Sequence, residues 1–148
     1  PFLNFIRKEF IMALPNGAGG YQVGAGNRNE TTMGYAATPQ TATATATLTA
    51  AQLIGGMLVA NPSTTAATYT LPAATTLDTA LPNATVGSTF DLSVVNIGTS
   101  SGTVTFSMGS GTGFTDGGNA TVAVAITSSA IFRFWKTAEG AWTVYKAA

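Results

Sequence analysis

The sequence predicts an all-β protein: a single β-sandwich, jelly-roll or immunoglobulin-like, or a barrel, with one or two short helices and an extended N-terminal arm. Two observations carry this. From Gly87 to Tyr145, apolar and polar residues alternate with a period of two in segment after segment, which turns one face of each toward a core and the other toward water. Clusters of Gly, Ser, Thr and Asn separate these segments where turns are needed. At 148 residues the chain has room for one ordinary core and not for a second full domain. The expected division is a glycine-rich arm over residues 1–40 and a β-sandwich domain over residues 41–148.

Pro1 to Ile11 is apolar around a short charged cluster, Arg7-Lys8-Glu9, and is too short to span a membrane. Its charges follow the apolar residues, which is the wrong order for a signal peptide. Phe2, Phe5, Ile6 and Phe10 fit one side of a helix, while Met12 reads as a second plausible start of translation. The next stretch carries Gly17, Gly19, Gly20, Gly24 and Gly26, too much backbone freedom for a helix or a packed strand. Such an arm cannot order itself by burying its own side chains. Docking on a neighbour is expected to order it, with Tyr21, Val23 and Tyr35 as anchors; the plainer alternative is a loose tail.

Thr41 to Leu48 alternates Thr with Ala, predicting a strand with a hydroxyl face and a thin apolar one, at a sheet edge or in a linker. Thr49-Ala-Ala-Gln52 has capping-box spacing and opens a one-turn helix through Ile54, stopped by Gly55-Gly56. Strands are expected at Met57–Ala60 and Ala67–Leu71, with the turn Asn61-Pro62-Ser63 between them and Pro72 after. Ala73 to Leu81 fits a short helix with Leu77 and Leu81 inward. Further strands follow at Ser88–Ile97, around Val104/Phe106/Met108, around Val122/Val124/Ile126, at Ile131–Trp135 and at Trp142–Tyr145. Gly98 to Gly102 reads as a hairpin turn, Gly109 to Asn119 as a long loop, and 127–130 and 137–140 as tight connections. No fixed repeat points to a solenoid or propeller.

Composition narrows the function. Only 8% of residues are charged, the formal net charge is zero, and His and Cys are absent. Without His the commonest general base and metal ligand is missing, and Ser-His-Asp and Cys-His chemistry is impossible. Six scattered Lys and Arg residues form no basic stripe, so direct nucleic-acid binding is not expected. No apolar run approaches the about 18 residues of a membrane-spanning helix, and no membrane partner is expected. With so little charge to keep copies apart, exposed edges and apolar patches favour self-association.

The carboxylates Glu9, Glu30, Asp78, Asp91, Asp116 and Glu139 are each isolated in sequence, which suits solvated surface acids better than a glycosidase pair. Asp116-Gly-Gly-Asn119 holds two oxygen side chains in a glycine-rich loop, where a plain turn outweighs a Ca²⁺ site. Gly24-Ala-Gly-Asn-Arg-Asn29 lacks the third glycine of a dinucleotide fingerprint, and no Walker lysine is present. Three Asn-x-Thr sequons, at Asn29, Asn83 and Asn119, matter only in a secreted eukaryotic chain. No catalytic residue, cofactor or metal is therefore assigned. Arg133 sits between Phe132 and Phe134, and Trp135 and Trp142 flank the last turn; these three are the candidate subunit interface, with an exposed charge and core packing as the plainer readings.

Two stretches together carry a resemblance. Met12-Ala-Leu-Pro-Asn-Gly-Ala-Gly-Gly-Tyr-Gln-Val-Gly-Ala-Gly-Asn27, and then the Thr/Ala strand with Tyr69-Thr-Leu-Pro72, resemble small virion structural proteins of tailed bacteriophages of marine and cyanobacterial hosts, head decoration or cement proteins above all. The resemblance runs over most of the chain from Met12 onward and rests on the glycine-rich start and β-rich body; Pro1 to Ile11 departs from it. It implies a non-enzymatic protein on the outer surface of the capsid, binding the phage major capsid protein, as a homo-oligomer with a trimer favoured. It also implies an arm that grips capsid subunits, here through Met12, Leu14, Tyr21, Val23, Arg28 and Tyr35, by adding a strand to an exposed edge, with the protein's own strand edges completing the clamp. The alternative is a carbohydrate-binding adhesin or tail-fibre domain that meets a glycan through Trp135, Trp142 or the Gly109 to Asn119 loop.

Overall fold

The computed structural model describes residues 36–148, and these are mostly β. In chain order the elements are β1 (Gln40–Ala42), β2 (Ala46–Thr47), α1 (Ala50–Ile54), β3 (Met57–Ala60), β4 (Ala67–Thr70), α2 (Ala74–Ala80), β5 (Thr89–Asn96), β6 (Val104–Ser107), β7 (Phe114–Asp116), β8 (Ser128–Ala138) and β9 (Ala141–Lys146). They form a six-stranded sheet in the order β1-β3-β5-β8-β9-β7 and a three-stranded sheet in the order β2-β4-β6.

The first six strands alternate between the sheets. β1, β3 and β5 pair in parallel in the larger sheet, while β2, β4 and β6 pair in parallel in the smaller one. The chain thus makes three coils, each giving one strand to each sheet, and α1 and α2 carry it back after the first and second. Jelly rolls and immunoglobulin sandwiches are assembled from antiparallel strands, so these parallel ladders are a different connectivity. The register sets Leu58 between Gln40 and Val94, and Tyr69 between Ala46 and Phe106. Successive coils therefore differ in length, which is why no fixed repeat shows in the sequence.

Only the last part of the larger sheet is antiparallel. β8 pairs with β5 on one side and with β9 on the other, through the tight connection expected at 137–140. β7 then adds to β9 in parallel. Apolar side chains from both sheets meet between them, with Phe106 of β6 and Phe132 of β8 at 4.4 Å between ring centroids. Phe90 stacks on Phe134 at 4.8 Å, and Trp142 presents an edge contact to Phe90 at 5.7 Å. Burying each such ring contributes about 1.5–3 kcal/mol, alongside the buried leucines and valines of the same core.

Five local expectations need correction. The tight connection placed at 127–130 is instead the start of β8, where Ser128, Ser129 and Ala130 pair with Asn96, Val95 and Val94. Thr41 to Leu48 is not one strand: it bends after Ala42 and resumes at Ala46 in the other sheet. The bend is held by the Tyr69 hydroxyl donating to the Thr43 carbonyl and by the Thr68 N–H donating to Thr45 Oγ1. Gly98 to Gly102 is not a hairpin turn, because β5 and β6 belong to different sheets. Here buried Asn96 directs the crossing, its Oδ1 accepting from the Gly98 N–H at 2.8 Å and its Nδ2 donating to the Gly102 carbonyl at 2.9 Å. Val122 to Ile126 forms only a bridge between Val124 and Val104, since Val124 alone of its three apolar residues is buried. The Gly109 to Asn119 loop contains β7, too short to show a period but fixed by buried Phe114. The helices form as expected: Thr49 and Gln52 complete a capping box on α1, and Leu77 of α2 is buried.

Candidate functional site

β8 lies inside the larger sheet with neighbours on both sides, so its alternation is strict. Ala130, Phe132, Phe134 and Lys136 are buried, while Ile131, Arg133 and Trp135 point outward. The register builds a face around them: Arg133 lies between Asp91 and Tyr145, Trp135 between Thr89 and Thr143, and Ile131 beside Ser93, which itself adjoins Met57. Met57 is 40% exposed, Ile131 39% and Trp135 41%, unusual values for large apolar side chains on a sheet surface.

At the centre of this face Arg133 grips Asp91 in a fork, with Nε to Oδ1 and Nη2 to Oδ2 both 2.8 Å. This bidentate geometry is the one that planar guanidinium and carboxylate groups favour. The hydrogen bonds from Arg133 hold the Asp91 carboxyl below its ordinary range, and those to Asp91 raise the Arg133 guanidinium, so both stay charged. Among the described residues, Asp91 and Arg133 are the only charged side chains at outward positions of the six strands. The face is broad, part apolar and neutral.

The other predicted residues fall elsewhere. Trp142 is not on a surface: it is 1% exposed, and its indole N–H donates to Asp78 Oδ1 at 2.8 Å. A tryptophan so buried and so satisfied serves the core and offers nothing to a subunit contact or a glycan. Asp116 is occupied by its own loop, accepting from the N–H groups of Gly118 and Ala120 and from the Thr121 hydroxyl. Burial pushes its carboxyl up, but these bonds outweigh that and bring it below the usual value. Met12, Leu14, Tyr21, Val23, Arg28 and Tyr35 lie outside the described residues.

Three members of the outward face, Asp91, Ile131 and Met57, were not singled out by sequence as interface residues. Alternation alone places Asp91 on the polar side of its strand. That it lies across from Arg133 depends on β5 pairing with β8, the two residues being 42 positions apart in the chain, and local patterns carry no such information. Among the described residues no helix is long and apolar enough to cross a membrane, and no three carboxylates cluster as metal ligands would. No family model, no curated protein and no solved structure matches this chain.

Proposed function

We propose that this chain is a non-enzymatic structural protein of a phage virion, which decorates and stabilises the outer surface of the capsid by binding major capsid protein subunits. In this reading the two sheets form a rigid sandwich-like body, and the arm from Met12 to Tyr35 and the strand edges make the grip. The observation that carries it is the outward face of the larger sheet: wide, half-exposed in its large apolar residues, and neutralised where Arg133 meets Asp91. Such a surface suits repeated protein–protein contact, where aromatic residues dominate and net charge contributes little. The resemblance of the Met12 to Asn27 stretch supplies the capsid as the setting.

Cryo-electron microscopy of virus particles tests the setting, and deletion of Met12 to Asn29 tests the grip. Density on the head, with head binding lost on deletion while the β domain stays folded, supports the reading. Density at the tail tip, or unchanged head binding without the arm, overturns it. A second reading, a glycan-binding adhesin, draws on the exposure of Trp135 beside Arg133 and Asp91. It predicts that Trp135→Ala abolishes retention on host-surface polysaccharide; equal retention of both proteins removes it.

A further inference from the structure

We infer that the outward face of the six-stranded sheet pairs with a second copy of this chain across a two-fold axis running between β5 and β8. The pairing rests on the structural-protein reading for its biological purpose, but the contact itself is argued from geometry. Its centre holds one acid and one base side by side, Asp91 and Arg133. A two-fold axis parallel to the strands and passing between these residues brings Arg133 over the partner's Asp91, and Asp91 over the partner's Arg133. The charges then alternate around a four-membered ring, each base meeting two acids, and the surface is complementary to itself. A three-fold contact, as in the trimer that the resemblance implies, joins two different patches; here both signs lie in one patch.

The flanks agree with that axis. It sets Trp135 over the partner's Thr89 and Ile131 over the partner's Ser93, given their places opposite each other across β5 and β8. Both large residues are about two-fifths exposed and gain cover without meeting a like charge. Stacked sheets with nearly aligned strands are a common packing mode, so the strands need no rearrangement. With strands about 4.8 Å apart and rising about 3.3 Å per residue, the residues of the six strands cover a flat area of roughly 550 Å², before the relief of the side chains is added. A stable contact covers about 800 Å² of accessible surface on each partner, and side-chain relief brings the accessible area of this face above its flat area and toward that size. A net charge of zero leaves no long-range repulsion between copies.

The test is sedimentation equilibrium of the full chain, with the variants Arg133→Asp and Asp91→Arg examined singly and mixed. The wild type is expected to be a dimer. Each charge variant sets like charges across the axis and is expected to be a monomer, while an equimolar mixture forms heterodimers, resolved by their mass in native mass spectrometry. The internal ion pair is broken in both variants, so recovery on mixing reports the contact between copies and not a repaired fold. Trp135→Ser, which leaves the charges alone, is expected to weaken the dimer about tenfold or more. A wild type that is monomeric at about 100 µM, a trimer, charge variants that associate as tightly as the wild type, or a mixture without heterodimers each overturns the inference. None of these readings involves heads, so a failure to bind capsids leaves them unaffected.

Discussion

Asp78 of α2 and Lys136 of β8 meet at 3.0 Å between Oδ1 and Nζ, with side chains only 8% and 3% exposed. The same carboxylate accepts from the Trp142 indole at 2.8 Å and from the Gly140 N–H at 2.7 Å, so one residue of a seven-residue helix fastens the β8–β9 hairpin. Glu139 adds a second, exposed partner to Lys136 at 3.2 Å. Removing one member of a buried ion pair leaves the other without compensation. Asp78→Ala is expected to lower stability by about 3 kcal/mol, read from the urea midpoint, because an indole N–H and a backbone N–H lose their acceptor and the ammonium keeps only Glu139 and the Ala84 carbonyl.

Acid should act through the same carboxylate. Burial pushes the Asp78 carboxyl up, but the hydrogen bonds from Gly140, Lys136 and Trp142 and the charge of Lys136 together hold it below its ordinary 3.8. A carboxyl with a lowered folded pKa binds its proton first in the unfolded chain, so its stabilisation is complete above the unfolded value and is lost as pH falls through the folded one. Asp91 and Asp116 are shifted the same way. The urea midpoint of the wild type should be flat near neutrality and fall below about pH 4, and Asp78→Asn should have a lower midpoint and a shallower acid limb. An acid limb of unchanged slope would show that Asp78 is not a coupled group.

Asn96 should tolerate little change. It is 1% exposed, and its two amide protons serve three carbonyls, those of Gly102 at 2.9 Å, Val124 at 3.1 Å and Ala125 at 3.0 Å. Asn96→Asp sets a carboxylate against those oxygens and should cost more than Asn96→Ala, for which about 3 kcal/mol is expected from the unsatisfied groups. Thermal unfolding of the two variants checks the order.

Two glycines make a controlled comparison. Gly113 has φ +83, and a Cβ there would run into the carbonyl oxygen of Gly140 and also lie 2.9 Å from Ala74 Cβ. Gly118 has φ +125 but open space around the added carbon. Gly118→Ala therefore bears backbone strain alone, about 1–2 kcal/mol, while Gly113→Ala adds a backbone collision at the join of β7 and β9 and should be clearly worse. Equal unfolding midpoints for the pair would contradict the packing at Gly113.

The face–core distinction within β8 gives a further contrast. Phe132→Ala removes a ring that packs on Phe106 and should lower stability by about 3–5 kcal/mol without a specific effect on association. Trp135→Ser, three residues on and outward, should leave the unfolding free energy within about 0.5 kcal/mol of the wild type when both are measured at a concentration where they are monomeric. Denaturation curves of both variants separate the two roles.

The alternation Phe90/Leu92/Val94 against Thr89/Asp91/Ser93 was enough to define β5 and its inner face, because side-chain direction in a strand has a period of two whatever the strand pairs with. The same holds for β4, β6, β8 and β9, and the capping box at Thr49 and Gln52 marked α1 by a purely local hydrogen-bond pattern. Composition, with no His or Cys and 8% charge, also set the chemistry that the chain lacks the side chains to perform.

Tertiary structure alone decided which strand lies beside which. Thr41 to Thr47 keeps one alternation through a bend that places its two ends in different sheets, and Gly98 to Gly102 has the residues of a hairpin turn yet crosses between sheets. Trp135 and Trp142 look alike in sequence, but one faces water and the other is held inside by Asp78. The physical reason is common to all three: local patterns tell a side chain whether to point in or out, whereas strand order follows from the packing of Phe106 on Phe132 and from contacts between residues far apart in the chain. The Arg133–Asp91 pair belongs to that second class, and so does the face it centres.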